Sequence, residues 1–367
     1  MSMNYKEYKF SDLIEEVEER NTSLEYGLDD IVGVTIEKGL IPTIANLTQT
    51  ALDKFYIVKP DTFVYNPRTH GVRLGMGYND TNKIFLTSWN NVAFRVKEDA
   101  KKIVLSKYLW IYFNRPEWDR QTNFMAWGSS TIVFAWNDFL SIKIQLPDLK
   151  EQEKIVNTYN AITKRIQLKQ KINENLEKTA QTIYKKMFVE DADENWKTIK
   201  LGELADLSAG GDKPECFSIT ETEKCNIPIF SNGIENYGLY GFTNKPKITK
   251  ESVTVSARGT IGFPCLRLEP YFPIIRLVSV TPNETYTDAI YLYYYLKNTN
   301  IVSSGTTQQQ LTVPEFRETK IVVPNRNTVD EFSVKVRKLF YYQKENEKEI
   351  SKLQELQQLV ISRISGM

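Results

Sequence analysis

The sequence predicts an α+β chain. Two mixed α/β globular lobes are separated by two long helices that pair as a coiled coil, and the whole is a pseudo-twofold internal repeat. The first observation behind this is an apolar seam. Steps of four and three from Ile155 collect Tyr159, Ile162, Ile166, Lys169, Asn173, Leu176, Ala180, Ile183 and Met187, with no Gly or Pro between them. A seven-residue repeat keeps one stripe of a helix against a partner over many turns, so a second long helix must cover it. The second observation is that the chain supplies that helix. Adding 177 to each seam position gives Phe332, Val336, Leu339, Gln343, Asn346, Ile350, Leu353, Gln357, Val360 and Ile364. The third is the texture before each helix, where short β-type runs are punctuated by Gly, Pro, Asn and Asp.

The approaches to the helices repeat at the same offset. Ile144-Gln145-Leu146-Pro147 matches Ile321-Val322-Val323-Pro324, and Gly128-Ser129-Ser130 matches Gly305-Thr306-Thr307. The resulting division is 1–147 for the first lobe, 148–190 for the central helix, 191–324 for the second lobe and 325–367 for the C-terminal helix.

In the first lobe, Ser11 or Asp12 is placed to cap a short helix, because a short polar side chain there satisfies free N–H groups. The runs IVGVTI, KFYIVK, DTFVYN, KIFLTSW and NVAFRV then read as strands. Ser106 to Phe113 reads as a helix halted before Pro116, since the residue before a proline is driven out of the α region. A polar loop at Trp127 to Thr131, a short helix near Trp136 to Phe139 and a strand from Ile142 to Leu146 complete the lobe.

The second lobe follows the acidic linker Glu190 to Glu194 and begins at Trp196. Ser208 to Pro214 is rich in turn residues; IPIF, PKIT, SVTVSAR and PIIRLVSV read as strands, and Ile290 to Leu296 as an aromatic helix. Ser303 to Leu311 takes the place of the first lobe's Gly128 loop. Outside these landmarks the lobes share little identity, so one scaffold carries two different surfaces.

A chain of 367 residues has room for two cores besides the helices. It has no run of about 18 apolar residues and no apolar stretch near its charged N-terminus, which predicts a cytoplasmic protein without a membrane partner. Cys216, Cys225 and Cys265 match no zinc or redox spacing and read as reduced thiols.

Net charge is only +1, but it is unevenly distributed. Tyr65 to Lys107 carries eight Lys/Arg against three Asp/Glu, and Asn244 to Arg276 carries six against two, inside lobes that are otherwise acidic. Such windows suit one anion-facing side per lobe.

Catalytic chemistry is absent from the pattern. A single histidine, His70, excludes His-based triads and most zinc sites, and its loop NPRTHGVR reads as a turn. No GxxxxGK[ST] phosphate loop occurs, and the clusters at Gly71, Gly75 and Gly77 or Gly210 and Gly211 lack the spacing of a dinucleotide fingerprint. The chain reads as a binder, with no catalytic and no metal-ligating residues.

Leu146 to Ile155 (LPDLKEQEKI), Trp196 to Leu204 (WKTIKLGEL), Arg258-Gly259-Thr260-Ile261-Gly262 and Gly305-Thr306-Thr307-Gln308, in this order and duplicated, resemble the specificity subunits of Type I restriction-modification systems. The resemblance spans the whole chain. It implies two target recognition domains reading the halves of a bipartite, asymmetric sequence in double-stranded DNA, with the two helices forming an antiparallel coiled coil that sets the gap. It also implies a non-catalytic subunit that directs two methyltransferase subunits, and restriction subunits where present. No cofactor would then be held by this chain: S-adenosylmethionine belongs to the methyltransferase partner, and ATP with magnesium to a restriction partner. One departure stands out. The second helix begins Asn325 to Glu331 without the Glu-Gln of the first, which leaves open whether both ends engage the methyltransferase equally.

The helix lengths agree with that reading. About 40 helical residues span roughly 60 Å, against about 34 to 36 Å between successive major-groove faces. The polar seam residues Lys169, Asn173, Gln343, Asn346 and Gln357 either fix register by penalising slipped pairings or face solvent where the seam frays.

Base readout needs side chains whose donors and acceptors match base edges. On that ground the candidates are Arg68, Thr69, Arg73, Tyr78, Ser129 and Ser130 in the first lobe. In the second they are Asn232, Tyr237, Lys245, Arg258, Thr260, Thr307, Gln308 and Gln309. Some of these would touch only phosphate, which positions without specifying. Trp127 and Tyr240 are placed either to stack on bases or in the core. The competing reading is a non-catalytic interaction scaffold, or a mimic that binds the methyltransferase without reading DNA.

Overall fold

The computed structural model describes residues 5–43, 51–69, 73–128, 132–299, 301 and 310–365. The chain divides into two compact units, Met1–Leu168 with Glu349–Met367, and Lys169–Lys348. Both long helices cross from one unit to the other, so the units do not coincide with lobes and helices taken separately.

The first unit contains β1 (Lys6–Lys9), α1 (Phe10–Leu13), β2 (Ile14–Glu16), β3 (Val32–Thr35), β4 (Gly39–Pro42), β5 (Tyr56–Val58), β6 (Phe63–Tyr65), β7 (Met76–Tyr78), β8 (Phe85–Thr87) and β9 (Val92–Val96). Then come α2 (Ser106–Phe113), α3 (Pro116–Met125), α4 (Trp136–Ser141), β10 (Lys143–Leu146) and the first long helix α5 (Leu149–Lys185). β1 pairs antiparallel with β10, Lys6 opposite Leu146, and the order of the four-stranded sheet is β2-β9-β6-β7. The core is aromatic: Phe63 stacks on Phe94 at 5.0 Å, Phe10 meets Phe139 edge-on at 5.1 Å, and Phe113 lies 4.7 Å from Trp118. Such offset and edge contacts add to the burial of large apolar area. At α1 the Lys9 N–H donates to Asp12 Oδ2, so Asp12 works from inside the first turn.

The second unit contains β11 (Lys197–Lys200), α6 (Leu201–Leu204), β12 (Ala205–Ala209), β13 (Ile227–Phe230), β14 (Leu239–Thr243), β15 (Ser252–Val255), β16 (Pro264–Arg267), β17 (Phe272–Pro273) and β18 (Val278–Pro282). The chain continues with α7 (Ala289–Asn298), α8 (Val313–Arg317), β19 (Lys320–Val323) and the second long helix α9 (Arg326–Ser365), whose part beyond Lys348 belongs to the first unit. β11 pairs with β19, Lys197 opposite Val323, and the main sheet runs β12-β18-β15-β16. First strand, last strand, then the middle pair: the sheet order repeats that of the first unit. A separate sheet, β14-β13-β17, is particular to this one.

The predicted seam residues are buried or half-buried along both long helices. In the first unit, Val156 shares the core with Ile361 and Ile364, and Gln357 Nε2 donates to Thr163 Oγ1 at 2.7 Å. Arg165 pairs with Glu349, its Nε 2.6 Å from Oε1. In the second unit, Ala180, Tyr184 and Phe188 pack with Val329, Phe332 and Val336. Rising numbers on α5 meet falling numbers on α9 in each unit, which is antiparallel pairing. The polar seam residues face one another, not solvent: Lys169 Nζ donates to Asn346 Oδ1 (2.8 Å), Asn346 Nδ2 to Asn173 Oδ1 (2.7 Å) and Gln343 Nε2 to the Asn173 carbonyl (3.1 Å).

Some elements were not expected. α3 has a polar sequence, but Pro116 at its first position and Glu117 and Asp119 in its first turn suit a helix start. β4, β7, β14 and β16 are too short or too glycine-rich to alternate clearly, whereas β12 does alternate but ends in the stretch read as turn-rich. PKIT is not a strand: only Ile248 makes a bridge, to Tyr271.

Candidate nucleic-acid interface

In the first unit, three backbone segments lie side by side. The Thr69 N–H donates to the Ile132 carbonyl (3.0 Å), the Phe134 N–H to that of Pro67 (2.8 Å), and Trp127 and Val133 exchange both bonds. This small ladder holds Arg68 and Trp127 on either side of Val133. Arg68 is exposed, and so is Trp127, at 75%. The indole is therefore outside the core and free to stack. Phe124, near the end of α3, is 90% exposed and was not singled out in the sequence, because the stretch before it is polar.

Arg73 is exposed and stands 3.9 Å from Asp119. That carboxylate also takes Lys38 at 2.6 Å, and Lys38 Nζ donates to the Leu74 carbonyl (3.0 Å). Burial holds the Lys38 ammonium below its usual range despite Asp119. One carboxylate between two cations leaves this corner positive.

Two first-lobe candidates are corrected. Tyr78 is buried against Phe63, with ring centroids 4.5 Å apart, and its hydroxyl donates to Asp61, so it serves the core. Burial and the carboxylate together push that phenol well above its usual range. Thr69 is 5% exposed and contributes its backbone to the ladder. Ser129 and Ser130 lie outside the described residues, as do His70 and Thr307, Gln308 and Gln309.

In the second unit, three turns converge. Asn236 and Tyr237 (φ 46° and 53°), Ile275 and Arg276 (φ 52° and 60°) and Gly259 (φ 69°) are all left-handed. A β-branched residue such as Ile275 rarely adopts this region. The glycines nearby are required by close approach: a Cβ on Gly238 would stand 2.4 Å from the Ser231 carbonyl oxygen, and one on Gly210 2.8 Å from the Ile274 backbone. Asn232 joins the turns. Its Nδ2 donates to the Ile275 carbonyl at 2.6 Å, and its Oδ1 accepts from the Ala257 N–H at 2.7 Å. The sequence offered Asn232 as a reader of bases, but both ends of its amide are committed within the protein.

The other candidates here remain on the surface. Tyr237 is 53% exposed, with its hydroxyl 3.1 Å from Glu347; Arg258 is exposed and donates to Gln310 Oε1 (3.3 Å). Lys245 and Thr260 are exposed, and Tyr240 is 44% exposed beside Phe217. Arg276, exposed and carried by a left-handed turn, was overlooked although it closes the basic window. Cys216 and Cys225 bring their sulfurs to 3.1 Å, a proximity their spacing did not signal. Among the described residues no group of His, Cys, Asp and Glu could hold a metal ion, and no helix is long and apolar enough to cross a membrane.

A repeated topology with unlike surfaces is what the resemblance implied. A family model described as the type I restriction modification DNA specificity domain matches residues 6–178 and again 193–358. The chain belongs to this family. Each match covers one lobe and most of the helix that follows it. A Mycoplasma pneumoniae protein named as a type I specificity subunit is 35% identical over 136 residues, 36% of this chain and 40% of the relative. A second from the same organism is 28% identical over 207 residues, 54% of this chain and 56% of the relative. The chain thus spans about half the length of these curated relatives. The crystal structure of a type I restriction-modification system S subunit from M. genitalium superposes with a TM-score of 0.66 at 16% identity, covering 99% of this chain and 96% of that one. This likeness concerns the fold.

Proposed function

We propose that the chain is the non-catalytic DNA-recognition subunit of a type I restriction-modification system. Each lobe reads one half of a bipartite, asymmetric target and directs a partner methyltransferase to it. The observation that carries this is the same four-strand order in both units, bearing differently built exposed faces: Arg68, Trp127 and Phe124 in one, and Tyr237, Arg258 and Arg276 in the other. Membership of the DNA specificity family supports it.

Two methyltransferase subunits are the expected partners, with S-adenosylmethionine bound on them. Restriction subunits using ATP and magnesium join where the system restricts. Exposed Arg and Lys would hold phosphates and set register, while aromatic and amide groups discriminate bases.

The test is to sequence the methylome of a host expressing this chain with its methyltransferase, then measure binding of the complex to a duplex carrying the methylated motif. An asymmetric bipartite motif, bound in preference to a scrambled duplex at moderate salt, is expected. Equal affinity for both duplexes would refute the proposal and favour the interaction-scaffold reading.

A further inference from the structure

The second lobe's candidate face is made of turns that the backbone does not favour by itself. Left-handed conformations at Asn236, Tyr237, Ile275 and Arg276 are unfavourable for non-glycine residues, and persist only where surrounding contacts over-determine them. Two side chains supply those contacts. Asn232 ties the Ile275 carbonyl to the Ala257 N–H, and so joins the turn bearing Arg276 to the loop bearing Arg258. Arg267, only 8% exposed, donates from Nη2 to the Tyr237 carbonyl at 2.6 Å and from Nε to Thr254 Oγ1 at 3.0 Å. Its guanidinium lies over the Phe230 ring, 3.5 Å from the centroid.

We infer that Asn232 and Arg267 are positioning residues for base recognition: they hold Tyr237, Arg258 and Arg276 in one prearranged face without touching DNA themselves. This rests on the DNA-reading function proposed above and adds which residues set the face's geometry. The guanidinium suits the task because its planar fork reaches two acceptors while its flat side packs on an aromatic ring. The amide of Asn232 suits it because one end donates and the other accepts. A face fixed before binding forfeits less conformational freedom on contact, and a small shift of its turns misaligns bidentate contacts to bases while leaving attraction to phosphate intact.

The experiment uses the full chain in complex with its methyltransferase, the duplex carrying the motif found by methylome sequencing, and a scrambled duplex. Asn232→Ala and Arg267→Lys are expected to lower the cognate-to-scrambled affinity ratio by at least about tenfold. They should leave scrambled binding and its salt dependence as in the wild type. Arg258→Ala and Arg276→Ala, which remove the proposed base contacts themselves, should weaken the cognate duplex more than the scrambled one and so lower the same ratio. A wild-type ratio in both Asn232→Ala and Arg267→Lys overturns the inference. So does loss of the cooperative thermal transition in both, which would make them residues of the fold alone. If instead Arg258→Ala and Arg276→Ala change neither affinity nor ratio, this face does not meet DNA and the inference falls with it. No preference in the wild-type complex would reject the functional reading itself.

Discussion

Gln152 and Val329 occupy the same step of the two long helices, 177 residues apart, and do opposite work. Gln152 is fully buried; its Oε1 accepts from the Leu105 N–H (3.0 Å), and its Nε2 donates to the carbonyls of Ile103 (2.8 Å) and Pro147 (2.9 Å). Val329, equally buried, is one apolar residue among Phe332, Tyr291 and Phe188. In the second unit α7 needs no such help, because Asp288 caps it through the Tyr291 N–H. The Glu-Gln present at only one helix start is therefore an internal brace at its glutamine, and its absence from the other is a packing difference.

Gln152→Leu should destabilise the protein by about 1 to 3 kcal/mol, since it takes the side-chain partner from the buried Pro147 carbonyl and from the half-buried Ile103 carbonyl and Leu105 N–H. Urea unfolding of the full chain checks this; a change below about 1 kcal/mol would show that the groups find other partners.

Asn346→Leu removes one acceptor of Lys169 and the donor to Asn173 within the second unit. Losing both hydrogen bonds from this half-buried cluster should cost about 1 to 3 kcal/mol. Replacing Lys169, Asn173, Gln343 and Asn346 together by apolar residues should instead raise the unfolding midpoint, with register loosened. Denaturation reports the first effect, and crosslinking between cysteines placed on the two helices reports the second.

Trp127→Ala should leave the thermal transition within a degree or two, the side chain being largely in solvent. If the indole stacks on a base, the same change should weaken binding to the cognate duplex by about 1 to 3 kcal/mol. Unaltered affinity in a titration would remove it from the interface.

Deleting one heptad from each long helix at paired positions removes about 10 Å of rod, close to three base-pair rises. Methylome sequencing should then return the same two half-motifs with a shorter unread gap, or no methylation at all. An unaltered gap would show that the helices do not measure it.

Much of the fold was legible because its strongest signal is periodic. Ile155 to Met187 and Phe332 to Ile364 repeat every seven residues, and an apolar stripe of that length is stable in water only when a second helix lies along it. α3 was missed because its only fully buried apolar side chain is Trp118. The site was harder to read. Arg68 and Arg258 stay exposed as their loop sequences suggest, yet nothing local distinguishes Tyr78, held in the core by Phe63, from Tyr237, left in solvent by a left-handed turn. Nor does Asn232 differ in sequence from an asparagine that reads bases. Its role is set by Ala257 and Ile275, distant residues brought to it by the fold.

The pairing of β1 with β10, and of β11 with β19, has an evolutionary corollary. Each lobe is entered and left through adjacent strands of one ladder, so its two ends are neighbours, the condition under which a segment can be exchanged without disturbing what flanks it. A foreign lobe closed by the same ladder can be grafted between Lys9 and Lys143, or between Lys200 and Lys320, while the helices stay native. Under the proposed function, half of the preferred motif would then change and the other half persist.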